Sequence, residues 1–184
     1  MDWQALLLEH WPVKLVSLAF LIAYVPDAKD LRVPNWLTYP LAAGGLGYYT
    51  IAYGWDGFTM SLLGLVAGLM TLLPLYAFGG MGAGDVKLMA GAGSWIGYQM
   101  IIGIFIPIAM VGGLMAATMI LISGRWRHHL KMAGVILGDL VRLRRPGACF
   151  ERAAERKPTM TLLPYGIPIC IGAIATFIRH DVLF

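Results

Sequence analysis

Residues 86–123 read VKLMAGAGSWIGYQMIIGIFIPIAMVGGLMAATMILIS, an apolar run interrupted by one charge, Lys87. A helix crosses the hydrocarbon core of a bilayer with about 20 apolar residues. The run is too long for one crossing and too apolar for a surface in water. It reads as two spans divided near residues 98–102, and it assigns the chain to the all-α membrane class.

Working outward toward the N-terminus, a glycine-rich break at 79–84 closes a span over 58–78. A turn from Gly54 to Gly57 separates that span from another over 36–53. Pro34 opens the earlier span, and proline suits a first helical turn because its missing N–H would be unpaired there. A polar segment, 26–32, comes before it, and the first span covers 11–25. Toward the C-terminus, a basic segment over 124–158 leads to a last span over 160–178. The expected architecture is six transmembrane helices in one domain, 1–184, with 124–158 as a loop inside it.

Composition agrees. The chain has 184 residues, 59% hydrophobic and 13% charged, whereas soluble domains carry about 25% charged residues. The mean hydropathy is +0.72. Cys149 and Cys170 stand apart with no CxxC pair, which excludes a structural zinc module and gives no disulfide framework. Residues 1–25 do not read as a cleaved signal: Asp2 and Glu9 precede the apolar part, Lys14 is its one cation, and no small-x-small site follows. They read as a retained first helix.

Six crossings put both termini on one side. Lys29, Arg32, Lys87 and nine cations between Arg125 and Lys157 fall in odd-numbered connections, against Lys14 and Arg179 near the other face. Cations mark the cytoplasmic side, so both termini are expected to face out. Within the basic segment, residues 130–143 form a short amphipathic patch flanked by Arg125, Arg127, Arg142, Arg144 and Arg145. It suits the inner membrane surface, with anionic lipid as its partner and no nucleic acid. His128 and His129 lie there without a third ligand, so no metal is expected. Trp3, Trp11, Trp36 and Trp55 read as interfacial anchors, and the Gly- and Met-rich stretch 110–119 as close helix packing.

This topology places Asp27, Asp30 and Asp85 at the cytoplasmic ends of the first and fourth spans, where solubility does not require them. A carboxylate turned into a bundle is costly and points to function. Two carboxylates sharing a site cannot both ionise cheaply. The ionised one can take a proton from water while the protonated one polarises a carbonyl. Gly82, Ala83 and Gly84 before Asp85 give a backbone that lets a substrate strand approach closely. A plain helix cap at Asp85 is the other reading. Lys87 either tunes the acids, contacts substrate or snorkels to phosphates.

The stretch from Met81 to Lys87 (MGAGDVK) resembles the GxGD signature of the type IV prepilin peptidases. The stretch from Asp27 to Asn35 (DAKDLRVPN) resembles the family's first block, an Asp several residues before a hydrophobic-Pro-Asn triplet. Pro164, Tyr165 and Gly166 resemble its PYG element. Carried over by position, the resemblance implies a membrane aspartic peptidase with Asp27 and Asp85 as the catalytic pair and Asp30 as rival or assistant to Asp27. Pro34, Asn35, Gly82, Gly84, Pro164, Tyr165 and Gly166 would shape the site and contact substrate, with no cofactor.

It further implies a prepilin substrate, a basic leader followed by an apolar helix, cut at the cytoplasmic face of the bacterial inner membrane. Long bifunctional members carry a cysteine-rich cytoplasmic insert and N-methylate the new terminus. Here the connection after the first span has no cysteine, so the chain resembles the short form found with tight-adherence (Flp-type) pili. A transporter would hold its charges near mid-membrane in paired halves, which this sequence lacks. A non-catalytic assembly protein of a pilus or secretion system remains the rival.

Overall fold

The computed structural model describes residues 11–30, 33–77, 81–123 and 165–179. Among these the chain is all-helical, with α1 (Trp11–Asp30), α2 (Asn35–Ala77), α3 (Ala83–Ser123) and α4 (Gly166–Arg179). Two of the four, α2 and α3, are long and apolar enough to cross a membrane. The apolar stretches Trp11–Tyr24 and Gly166–Arg179 are shorter.

One glycine interrupts each long helix: Gly54 in α2 (φ 64°, ψ −141°) and Gly97 in α3 (φ 78°, ψ 168°). Only a residue without a β-carbon takes such angles at little cost. The chain turns back at Gly54, because Gly57 lies against the carbonyl of Tyr49. In a continuous helix those residues would be about 12 Å apart. Thus α2 consists of two arms, 35–53 and 55–77, and α3 of two more, 83–96 and 98–123. The first break is the opening residue of the expected 54–57 turn, and the second lies one residue before the expected 98–102 division.

One expectation needs correcting. The polar connection expected over 26–32 is helical as far as Asp30, with Pro26 inside α1. A proline disturbs the turn before it, since it lacks a donor and its ring meets the carbonyl of residue i−4. Residues after it remain free to continue the helix. Asp27 and Asp30 are therefore helical residues.

The first arm of α3 is the centre of the bundle, held between the two arms of α2. On one side Gly84 meets Val33, Gly91 meets Thr38 and Leu41, and Gly45 meets Ser94, so these arms run parallel. On the other side Gly64 meets Gly93 and Gly68 meets Met89, so these arms run antiparallel. Gly64 and Gly93 each press on the other's carbonyl, an approach that small residues allow between membrane helices. Helix α4 packs across the second arm of α3, Gly172 against Ile108, and against α1, where the Cys170 thiol donates to the Phe20 carbonyl at 3.2 Å.

Phe20, Leu72, Met81, Leu88, Ile104 and Phe177 form the buried core, while Leu63, Met70, Ile106, Met110 and Leu121 point outward. That much exposed apolar surface does not suit water. Trp36 and Trp55 are exposed, in keeping with interfacial anchors, but Trp11 packs edge-on against Tyr48 and Trp95. In the stretch 110–119, Gly112 is packed against Tyr165 and Pro168, whereas Gly113 faces open space. Trp3, His128, His129, Cys149 and the patch 130–143 lie outside the described residues.

Gly97 leaves carbonyls at the end of the first α3 arm without helical donors. Hydroxyls from α2 supply two of them: Ser61 donates to Ser94 O and Tyr49 to Trp95 O, each at 2.8 Å. The Trp95 indole N–H donates to Leu41 O at 2.7 Å. A cavity lined by Tyr49, Ser61, Ser94, Gly97 and Gln99 opens at this end.

Candidate active site

Asp85 stands in the first turn of α3. The Gly82 N–H donates to its Oδ2 at 3.2 Å, the half of a capping box in which an acidic side chain reaches back to the residue before the helix. An ordinary cap of this kind is wet, but Asp85 is 2% exposed. Burying a carboxylate is expensive unless donors and a favourable field meet it. The unpaired N–H groups and positive dipole at the start of α3 provide both. Met81, just ahead, is fully buried and anchors this turn in the core.

The start of α2 leans on the same turn. A β-carbon on Gly84 would stand 2.8 Å from Val33 Cβ and 2.9 Å from Val33 O. Pro34 lies just before α2, slightly earlier than its expected place, and its carbonyl accepts from the N–H groups of Leu37 and Thr38 at 3.2 and 3.4 Å. Lys87 does not reach outward to phosphates: its Nζ donates to Asn35 Oδ1 at 3.1 Å and to Tyr39 OH at 3.0 Å. The ammonium also lies 5.0 Å from the Tyr39 ring centroid. Sequence reasoning did not single out Tyr39 or Val33. The available signal for Tyr39 was its spacing of four from Asn35, which puts both on one helix face.

Tyr165 comes from a third direction, immediately before α4. It is buried and its ring rests 3.3 Å from where a β-carbon on Gly112 would stand. Its phenol lies close enough to the Asp85 carboxylate for the two to interact electrostatically. Its carbonyl accepts from the Ile169 N–H at 3.0 Å, and Gly166 begins α4. Pro164 lies outside the described residues.

Asp27 and Asp30 stand in the last turns of α1. The far end of α1 is fixed by the Trp11–Trp95 contact, with ring centroids 5.1 Å apart. Trp95 is about 15 Å along α3 from Asp85 at 1.5 Å per residue. Asp30 is three residues from Val33, which touches Gly84, so no more than about 10 Å of chain separates them. Asp27 and Asp85 therefore occupy the same end of the bundle, opposite the aromatic cluster and its cavity. Asp85, Tyr165 and Gly82 come together there, as do Lys87, Asn35 and Tyr39. Among the described residues, no three His, Cys, Asp or Glu gather as a metal site.

The arrangement gives a water-poor acid at a helix start, in a backbone turn that glycines keep slim, with blocks from α1–α2, α3 and α4 around it. The family match falls on the α1–α2 and α3 blocks. The model of the type IV leader peptidase family matches residues 14–122. The chain is similar to the prepilin leader peptidase/N-methyltransferase of Aeromonas hydrophila, 34% identical over 132 residues, covering 68% of this chain and 42% of that one. It is 33% identical over 115 residues to the protein of that name from Dickeya chrysanthemi, covering 58% of this chain and 38% of that one. It is 31% identical over 118 residues to the one from Neisseria gonorrhoeae, covering 60% and 39%. The chain thus spans about two fifths of the length of these curated relatives. No solved structure matches it. The family match takes in most of α1, the whole of α2 and nearly all of α3, including Asp27, Asn35, Asp85 and Lys87, and the chain belongs to the type IV leader peptidase family.

Proposed function

We propose that this protein is a membrane aspartic endopeptidase that removes the basic leader of type IV prepilins, of the Flp type, at the cytoplasmic face of the bacterial inner membrane. Asp27 and Asp85 share one proton and one water. The ionised carboxylate draws a proton from the water as it attacks the scissile carbonyl, and the protonated one hydrogen-bonds the carbonyl oxygen. Because the acids act as a pair, the two roles belong to the dyad and are not divided between named residues. Asp30 assists, and no metal or cofactor takes part. The six helical arms cross the membrane six times with both termini outside, leaving 124–158 in the cytoplasm against lipid headgroups.

The observation that carries this reading is Asp85: an acid withdrawn from solvent at a helix start, with Tyr165, from the turn that opens a separate helix, near it. The family membership supports the substrate class, since the relatives are named prepilin leader peptidases. The relatives are also named N-methyltransferases. For this chain we expect no methyl transfer, because only residues 31–34 separate α1 from α2 and none is cysteine.

One observation favours a non-catalytic assembly protein instead: the Gly82–Asp85 bond is what a plain helix cap makes. The two readings separate on Asp85→Asn and Asp27→Asn in a membrane cleavage assay with an Flp-type prepilin. Asn retains a capping acceptor, so a scaffold tolerates it. A peptidase loses cleavage with either change, by at least about 1000-fold, on the scale seen when a catalytic-unit member is removed. Normal cutting by both variants rejects the peptidase reading.

A further inference from the structure

We propose that Lys87 is a positioning residue that clasps the start of α2 to the start of α3 and so sets the separation of Asp27 from Asp85. The inference rests on the peptidase reading. Residues two apart on a helix do not face each other, so Lys87 leaves α3 on a different side from Asp85 and is not a catalytic residue. It turns instead to α2, where Asn35 Oδ1 and Tyr39 OH receive it at 3.1 and 3.0 Å. Both acceptors are neutral and both sit on the first two turns of α2, one helical turn apart.

Lysines at a membrane boundary ordinarily extend toward water or phosphate. Lys87 instead lies along the protein surface against α2, with the Tyr39 ring centroid 5.0 Å from the ammonium. The clasp acts on both acids through short covalent leads. On one side Asp85 is two residues away in the same helix. On the other, Val33 touches Gly84 and lies three residues beyond Asp30, the end of the helix that carries Asp27. The Val33–Gly84 contact is a close backbone approach and sets how near the two helix starts come. The directional bonds of Lys87 fix how they are turned relative to each other.

A dyad depends on such placement, since an error of about 1 Å can cost about 100-fold in rate. Lys87→Met and Asn35→Leu should each lower kcat about 10- to 100-fold on an Flp-type prepilin while leaving KM within about twofold. The double variant should be no worse than the poorer single one. Lys87→Arg should restore part of the rate. An unchanged kcat in Lys87→Met, or losses that multiply in the double variant, overturns the clasp.

A second measurement needs no substrate. Spin labels at Tyr24→Cys and Ala83→Cys, in a background with Cys149→Ser and Cys170→Ala, report the spacing of α1 and α3 by pulsed electron paramagnetic resonance. Lys87→Met should broaden or shift that distance, and an unchanged distribution overturns the proposal. If the wild-type protein cuts no prepilin yet the distance moves, the peptidase reading falls and the clasp stands. If the wild type and Lys87→Met cut equally, the clasp falls and the peptidase reading stands.

Discussion

Val33 and Gly84 are in contact at the level of their backbones: a β-carbon on Gly84 would lie 2.8 Å from Val33 Cβ, 2.9 Å from its carbonyl oxygen and 3.0 Å from its amide nitrogen. The second glycine of the GxGD stretch is therefore required by its neighbour. It allows the Val33–Asn35 segment to reach the turn that holds Asp85, and two blocks fifty residues apart in the chain become one surface.

Gly84→Ala should separate these blocks. Backbone atoms cannot yield as a flexible side chain does, and overpacking of this kind costs about 1–3 kcal/mol. We expect a lower thermal unfolding midpoint in detergent and a larger proportional loss of prepilin cleavage. Gly113→Ala is the control, because nothing lies within 4 Å of its β-carbon position. Equal behaviour of the two variants contradicts the role assigned to the contact.

The seam between the second arm of α2 and the first arm of α3 makes a similar demand at Gly64 and Gly93, each lying against the other's carbonyl. Gly64→Ala should destabilise the bundle by about 1–3 kcal/mol. Gly47→Ala, in the same helix but facing open space, should be neutral or up to about 1 kcal/mol stabilising, from the helix preference of alanine. Thermal unfolding of the two variants side by side decides it.

The break at Gly97 offers a third test. Ser61 and Tyr49 donate to Ser94 O and Trp95 O, the carbonyls that the break leaves without helical donors. Ser61→Ala and Tyr49→Phe should each cost about 1–3 kcal/mol, the penalty for a buried carbonyl deprived of a partner. Because the break is about 18 Å from Asp85 along the helix, residual cleavage by folded protein should keep its wild-type KM. A changed KM would mean that the two ends of the bundle are coupled.

Much of this was legible in the residues. An acid beside a glycine-rich turn in an apolar chain is conspicuous, so Asp85 and its block could be named without coordinates. The reversal at Gly54 was readable because Gly, Trp, Asp and Gly cluster there. Gly97 was harder: Gly91, Gly93 and Gly103 look alike in sequence, and only tertiary packing selects which of them turns. Pro26 gave a false stop, since proline restricts the turn before it while the sequence pattern suggested that the helix ended there.

Lys87 was the least legible. A lone cation at a helix start carries no local mark of whether it goes to lipid or to protein. Its partners, Asn35 and Tyr39, are 52 and 48 residues earlier. The pairing follows from the parallel packing of two arms, which in turn follows from the glycines at 45, 84 and 91. The site is thus assembled by glycine contacts that a hydropathy profile does not register.

Tyr165 gives the final prediction. Its buried ring rests on Gly112 and holds the start of α4 against the second arm of α3. Tyr165→Ala removes that ring and should cost about 3–5 kcal/mol, the usual loss for a truncated buried aromatic. Tyr165→Phe keeps the ring and should unfold within a few degrees of the wild type in detergent. Equal midpoints for the alanine variant and the wild type would mean that the ring does not hold the two helices together.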